Sequence, residues 1–314
     1  MDADAATAFP LALLPLVSFA ISVFTSTGGV SGAFLLLPFQ VSVLGLSSPS
    51  VSATNQLYNV VAIPGGVARY LREGRLVWPL TWVVVAGTLP GVLAGALIRV
   101  VYLPDPQSFK TFASLVLLYI GGRMIRDMLS RRAANPTSAE KRFADLVGER
   151  SRRKEPLGGG DAMPRVEVRH ASWRRIAFEF HGEIHQVSTP GVATLSLAVG
   201  VVGGIYGIGG GAIMAPFLVS VFGLPVYTVA GAALAGTLVT SVAGVAFYQL
   251  LAPYVPHLDV APLWGIGLLL GIGGLAGTYI GARLQKHLPA ALIKWMLVLI
   301  IVATATLYLV QGLR

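Results

Sequence analysis

Gly207-Ile-Gly-Gly-Gly-Ala-Ile-Met-Ala-Pro-Phe-Leu-Val-Ser-Val-Phe-Gly-Leu224 has an earlier copy in the same chain, Gly29-Val-Ser-Gly-Ala-Phe-Leu-Leu-Leu-Pro-Phe-Gln-Val-Ser-Val-Leu-Gly-Leu46. Both read as a glycine cluster, an apolar helix and a terminating Gly-Leu. The register is gapless: Gly29, Gly32, Pro38, Phe39, Val41, Ser42, Val43, Gly45 and Leu46 fall on Gly207, Gly210, Pro216, Phe217, Val219, Ser220, Val221, Gly223 and Leu224. The same offset carries Gly66-Val-Ala68 onto Gly244-Val-Ala246, Tyr70 onto Tyr248, Gly87 onto Gly265 and Gly95 onto Gly273. Duplication on this scale, in a chain this apolar, is the pattern of membrane transporters built from two related halves.

Apolar residues make up 54% of the 314 positions and charged residues 12%, where a soluble domain carries about 25% charged residues. Apolar runs long enough to cross a bilayer fall near 10–27, 30–46, 50–70, 77–100 and 107–129, then near 189–206, 209–224, 226–251, 260–283 and 289–311. The expected fold is an all-α polytopic membrane protein. The absence of cysteine excludes disulfides, thiolate metal sites and cysteine nucleophiles. The net charge of +9 is gathered in a few loops, the positive-inside pattern of a protein in a lipid bilayer rather than a nucleic-acid surface. The opening Met-Asp-Ala-Asp lacks the basic flank of a signal peptide, so the first apolar run is expected to be retained.

The loops set an expected orientation. Arg69, Arg72 and Arg75 surround one turn, Arg123, Arg126, Arg131 and Arg132 open the central loop, and Arg283 and Lys286 mark a third. The turns at 103–107 and 252–259 carry no Lys or Arg. Positive-inside then places the basic loops in the cytoplasm and these two turns outside. The turn after Tyr70 is cytoplasmic on this reading and its repeat partner after Tyr248 external. The halves are therefore inverted repeats of about five segments each, with both termini outside. Arg99, Lys110 and Lys294 fit less well and are read as snorkelling side chains. Residues 1–130 form one membrane repeat, 131–188 a cytoplasmic linker or small domain, and 189–314 the second repeat. Within the middle interval, 138–149 reads as an amphipathic helix, 156–161 as a linker, and the alternation at 165–170 and 176–181 as a small β-hairpin.

The first two segments of each half are short and divided by glycine, at Ser26-Thr-Gly-Gly29 and Gly203-Gly-Ile-Tyr-Gly-Ile-Gly-Gly-Gly211. At about 16 residues each they span some 24 Å against a core of roughly 30 Å, which suits re-entrant hairpins or a tilted pair. Inverted halves bring the two breaks together near the midplane, with the helices that follow, from about Val30 and Ile208, aiming their N-termini at that point. Unpaired N–H groups and the helix dipole there suit an anion. No Lys or Arg stands in the middle of any span, so such a site is built from backbone N–H groups, hydroxyls and amides. The candidate substrate-binding residues are Gly28, Gly29, Ser31, Gly32, Asn55, Asn59, Tyr206, Gly207, Gly209, Gly210, Gly211 and Thr237, with Gln56, Tyr58, Thr240 and Ser241 weighed below them. The other glycines, Gly87, Gly91, Gly95, Gly265, Gly271, Gly273, Gly274 and Gly277, read as helix-packing residues. A bulky residue at Gly210 is expected to abolish anion binding in a folded protein, and one at Gly273 to act on stability.

Two catalytic readings fail. Gly29-Val-Ser-Gly32 matches the G-x-S-G of intramembrane serine proteases, but the five histidines all lie in loops or turns and none stands near as a base. His181 and His185 lack a third metal ligand. Neither an enzyme nor a bound cofactor or metal is expected.

The duplicated Gly-rich segment followed by Pro-Phe and Gly-Leu, the hydrophobic profile and the polar middle loop resemble the TauE/SafE family of sulfite exporters, also called the toluene-sulfonate uptake permeases. Gly207-Ile-Gly-Gly-Gly211 with Pro216 is the strongest element. The first copy departs from it, with Ser31 and Ala33 where the second has Gly209 and Gly211. The resemblance covers nearly all the chain except 131–188. It implies a multi-pass plasma-membrane protein, bacterial and of the inner membrane, that moves small sulfur-containing anions: sulfite, organosulfonates such as sulfoacetate, or thiosulfate. The expected mechanism is a secondary carrier whose repeats rock about a midplane site; with no midspan Asp, Glu or His as a relay, it is uncoupled, Na⁺-linked, or moves a proton on the substrate itself. The rivals are a gated anion channel and a membrane scaffold or sensor signalling through 131–188.

Overall fold

The computed structural model describes residues 10–46, 48–129, 166–180, 182–285 and 290–312. The helix expected over 138–149, the linker at 156–161, and His181, Arg131, Arg132 and Lys286 lie outside these residues, and so does the side chain of Lys294. Among the described residues the first half forms five α-helices, α1 (Leu14–Thr27), α2 (Ala33–Ser42), α3 (Ser50–Arg72), α4 (Trp78–Val101) and α5 (Pro106–Leu129). A three-stranded antiparallel sheet follows, β1 (Glu167–Ala171), β2 (Arg175–Phe180) and β3 (Glu183–Ser188). The second half repeats the pattern with α6 (Thr189–Tyr206), α7 (Met214–Phe222), α8 (Val226–Leu251), α9 (Trp264–Leu284) and α10 (Ala290–Gly312). Each apolar run read from the sequence is a helix, and the molecule is an all-α polytopic membrane protein with one small sheet.

Helices α4, α6 and α9, together with the segment Tyr227–Tyr254, are long and apolar enough to cross a membrane. α3 has 23 residues, but its interior holds Thr54, Asn55, Gln56 and Asn59, all buried. That polarity is tolerated because protein, not lipid, surrounds it. Local chemistry fixes the outer ends. Pro106 opens α5, and Asp105 Oδ2 accepts from the Ser108 N–H at 2.7 Å, which holds the Asp105 carboxyl below its usual range. Ser188 caps α6 by accepting from the Gly191 N–H at 3.3 Å.

The duplication is visible in the backbone. The repeat partners Gly29 and Gly207 both take left-handed φ, 70° and 75°, and so do Gly45 and Gly223, 69° and 66°. After α2 the Leu46 N–H reaches Gln40 O at 3.1 Å; after α7 the matching Leu224 N–H reaches Leu218 O at 3.2 Å. Both are helix stops of the Schellman kind, which explains the shared Gly-Leu. The Tyr70 hydroxyl donates to Ser26 O at 3.4 Å, and its partner Tyr248 donates to Gly204 O, the position that matches Ser26, at 3.3 Å.

Packing exchanges the halves. α1 lies against α9 and α6 against α4; α3 meets α8; α5 meets α10. Glycine makes the first two contacts close. A Cβ on Gly91 of α4 would stand 2.5 Å from Leu197 O, and one on Gly200 of α6 would stand 2.6 Å from Thr88 O. Gly273, Gly277 and Gly281 of α9 meet the carbonyls of Pro15, Phe19 and Val23 on α1 in the same way. Without a hydrophobic driving force between helices in lipid, such backbone approach supplies the dispersion contact that holds them. Gly265 departs from the packing reading: nothing lies within 4 Å of a Cβ built there.

The sheet carries one strand more than the hairpin read from the sequence, because Glu183–Ser188 pairs with β2. Ile176, Phe178 and Phe180 of β2 and Val187 of β3 are buried with the helices. The Val166 N–H bonds Gly74 O at 3.1 Å, tying the sheet to the α3–α4 turn. On the exposed face Arg169 donates to Glu179 at 2.7 and 2.9 Å.

Two arginines in the basic loops and helix ends are not solvated. Arg75 is 2% exposed, pairs with Glu73 at 2.7 Å and donates to Gln285 Oε1 at 3.0 Å. The snorkelling read for Arg99 is corrected: its side chain is fully buried, stacks 4.0 Å over Phe109 and donates to Leu103 O. The carbonyls freed where α4 ends give it a partner inside the protein.

Gly91→Ala is expected to cost about 1–3 kcal/mol, because the added methyl meets backbone that cannot move without parting α4 from α6. Gly265→Ala is expected to change stability by less than about 0.5 kcal/mol. Thermal unfolding of both variants in detergent checks the pair; equal losses would refute the seam.

Candidate functional site

The two glycine breaks are shorter on the N-terminal side than their sequences suggest. α1 continues through Ser26 and Thr27, and the Gly28 N–H caps it by donating to Thr25 O at 3.0 Å. α6 continues through Gly203–Tyr206 and stops at Gly207. The breaks are therefore 28–32 and 207–213, and the helices after them begin at Ala33 and Met214 rather than near Val30 and Ile208. Left-handed φ at Gly29, Gly207 and Gly209 prevents an earlier restart. All residues of both breaks are buried.

Each break is wedged onto the third helix of the other half. A Cβ on Gly29 would stand 2.5 Å from Ala230 Cβ of α8, and one on Gly207 would run into Ser52 of α3, the position that matches Ala230. Gly209 has Ser241 Oγ and Thr237 Cγ2 at 2.6 and 2.8 Å from a built Cβ. Gly32 is closed off by Tyr58 and Ser22, Gly210 by Thr88, and Gly211 by Ala233 and Thr237. Close packing alone accounts for glycine at these positions. This corrects the reading of Gly210 as a clean probe, since a bulky side chain there collides with Thr88 and acts on the fold.

Asn59 joins the breaks. Its Oδ1 accepts from the Ser31 hydroxyl, and its Nδ2 donates to Ile208 O at 2.9 Å and to Ser241 Oγ at 3.2 Å. One amide thus spans the first break, the second break and α8. Ser52, seven residues earlier on the same face, donates to Ile205 O at 3.1 Å. From the other side, Thr240 Oγ1 accepts from the Gly210 N–H at 3.0 Å. Asn55 instead braces the first half: Nδ2 donates to Ala33 O at 2.8 Å, and Gln40 Nε2 donates to its Oδ1 at 3.1 Å. Thr237 donates within α8 to Ala233 O at 2.9 Å. Tyr206 stacks on Phe34 with ring centroids 6.0 Å apart, and its hydroxyl donates to Phe34 O at 3.4 Å.

The first turns of α2 and α7 are largely satisfied from within. The Ala33 N–H donates to Ser31 Oγ at 3.1 Å, the Phe34 N–H to Ser31 O at 3.2 Å, and the Met214 N–H to Gly211 O at 2.9 Å. Open donors remain in the breaks and at the start of α7. Among the described residues, the N–H groups of Ser31, Gly32, Gly209, Gly211, Ile213 and Ala215 have no hydrogen-bond partner. Buried N–H groups left open are rare and call for an explanation. Their surroundings are neutral: hydroxyls and amides from α3 and α8, with the buried arginines Arg75 and Arg99 toward the helix ends.

Ser31, Asn59, Gly207, Gly209, Gly210, Gly211 and Thr237 come together around α3 and α8. Gly29 lies at the edge of this group, Asn55 and Tyr206 buttress α2, and Gly28 serves as a helix cap. Sequence reasoning underrated Ser52, Gln56, Thr240 and Ser241. Their signal was present as spacing: 52, 56 and 59 share one face of α3, and 237, 241 and 244 one face of α8.

Comparison with known proteins agrees with this architecture. The chain is 28% identical over 113 residues to the probable membrane transporter protein YdhB of Bacillus subtilis (strain 168), a match that covers 36% of this chain and 43% of that protein. The chain thus spans less than half of that relative's length. No solved structure gives a significant match. Residues 14–308, nearly the whole described fold with both glycine breaks, match the family described as sulfite exporter TauE/SafE. The chain belongs to the TauE/SafE sulfite exporter family.

Proposed function

We propose that this protein is a secondary carrier for small sulfur oxyanions, with sulfite, organosulfonates such as sulfoacetate, and thiosulfate as the substrate class. The observation that carries the reading is the set of open N–H groups at Ser31, Gly32, Gly209 and Gly211, gathered from both halves by Asn59. Tetrahedral and pyramidal oxyanions offer several acceptor oxygens to converging N–H groups. A neutral donor set binds an anion without a fixed counter-charge, so release costs less than from a buried ion pair. The family description supports export as the direction.

A carrier is favoured over a channel because every residue of both breaks is buried. At one end Arg75, Glu73, Tyr70 and Gln285 form a closed polar cluster, with the Tyr70 hydroxyl 3.1 Å from Gln285 Oε1. At the other, Arg99 fills the space beside Tyr248 and Phe109. Alternating access requires these ends to open in turn. The moving bodies are not the sequence repeats, because α1 is fixed to α9 and α6 to α4; we assign the motion to those mixed pairs sliding along α3 and α8. We also propose that the halves are inverted in a bacterial inner membrane, with both termini outside. The bond from Val166 to Gly74 supports placing the β-sheet on the side of the α3–α4 turn.

Three measurements test this. Titration calorimetry of purified protein with sulfite, sulfoacetate and thiosulfate is expected to show saturable binding of at least one, and liposome uptake to saturate; no binding of any of them rejects the substrate class, and resolvable unitary currents reject the carrier. The chain has no cysteine, so a single one reports its own side. An impermeant maleimide is expected to label Tyr254→Cys in intact cells and Arg72→Cys only after permeabilisation. Labelling of both from one side would reject the inversion.

A further inference from the structure

Gln56 is fully buried in the middle of α3, and among the described residues neither its Oε1 nor its Nε2 has a hydrogen-bond partner. Its position is set by neighbours on both sides. Ser52, one turn before it, bonds Ile205 O, and Asn59, one turn after it, bonds Ile208 O and Ser241. Across the interface its Oε1 lies directly against Gly244 of α8, so closely that a Cβ on that glycine would overlap the amide. Gly244 follows Ser241 and Thr240, which contact the second break, by about one turn. The open amide therefore lies on the α3–α8 seam, about one helical turn from the residues that contact the second break.

An amide differs from every other open group there. The break N–H groups only donate, whereas Gln56 offers a donor and an acceptor side by side. A fully ionised sulfite has acceptor oxygens alone and leaves Oε1 unmatched. Hydrogen sulfite, protonated on oxygen, presents both a bare oxygen and an O–H. We propose that Gln56 recognises the proton of the transported anion: Nε2 donates to one oxygen, and Oε1 accepts the acid O–H, so that the site takes the monoprotonated monoanion in preference to the dianion. This deepens the sulfur-oxyanion reading above and rests on it. It also supplies the coupling, because each anion carries its own proton through a core whose buried polar side chains are hydroxyls, amides and arginine guanidiniums among the described residues. The ionisable side chains on the packed elements are Tyr58, Arg69, Tyr70 and Arg72 of α3, Tyr206 of α6, Tyr227 and Tyr248 of α8, and Tyr279 and Arg283 of α9, with Arg75 and Arg99 at the helix ends. Phenols and guanidiniums do not titrate near neutrality, so a response there belongs to the ligand.

The test compares sulfite, whose dianion takes up its single proton near neutral pH, with methanesulfonate, which carries none. For the native protein, apparent sulfite affinity is expected to fall by up to about tenfold per pH unit above neutrality, and methanesulfonate affinity to stay flat. Gln56→Met keeps the length of the side chain and removes both polar atoms. It is expected to raise Tm by about 2–4 °C in the absence of anion, and to weaken sulfite binding at least about tenfold near pH 6. Gly244→Ala, which displaces the amide without altering it, is expected to weaken sulfite binding in the same direction. Unchanged sulfite affinity and pH profile in a folded Gln56→Met protein would overturn the inference alone. A lowered Tm in that variant with sulfite affinity intact would make Gln56 a structural residue and overturn it too. Binding of neither anion by the native protein removes the substrate reading itself, and this inference with it.

Discussion

Non-helical backbone buried at the depth of a membrane has to find its hydrogen bonds inside the protein, since no water is there to provide them. The breaks at 28–32 and 207–213 impose that demand twice; Asn59 meets it for the Ile208 carbonyl, while N–H groups of both breaks stay open. Its single amide takes the Ser31 hydroxyl, the Ile208 carbonyl and the Ser241 hydroxyl. α3 can carry such a residue only because α8, α9 and both breaks exclude lipid from it. The close glycine contacts of α1 with α9 and of α4 with α6 bring the walls near enough for that exclusion. Polar α3, glycine-rich α4 and α9, and left-handed breaks are in this sense one solution to one constraint.

The halves solve it differently. In the first, Asn55 donates to Ala33 O and fills the space between α3 and the start of α2. In the second, the matching residues are Ala233 and Gly211, and the backbones themselves touch. A side-chain amide on one side is replaced by direct contact on the other. The substitutions Ser31 for Gly209 and Ala33 for Gly211 follow from this: each side chain in the first copy either bonds the third helix or packs beside it, and neither would fit in the second.

Much of this was legible in the sequence. The apolar runs marked each of the ten described helices, although α2 and α7 start later than read, and the shared Gly-Leu marked both helix stops. Three things were not legible. Where a glycine cluster ceases to be helix depends on which glycines take positive φ, and Gly203–Tyr206 stayed helical while Gly207 did not. Whether an arginine snorkels depends on what lies beside it, and for Arg99 that is Phe109 and a free carbonyl rather than water. The value of Gln56 could not be read from spacing alone, because an open amide and a satisfied one look the same in a sequence. The glycines themselves taught the reverse lesson. Those chosen as ligand contacts are also required by packing, and in the function proposed above it is the N–H groups of several of these same residues that meet the anion.

The exchange of first helices bears on how such a chain could have arisen. α1 has its extensive partner in α9, and α6 has its own in α4, so neither half encloses its first helix. A half-length ancestor would have had to lend that helix to a second copy and receive one back. It would have been an obligate, segment-swapped dimer before the copies were joined. The single-chain protein keeps that dependence: cut at the middle loop, neither piece holds the surface that its own first helix needs.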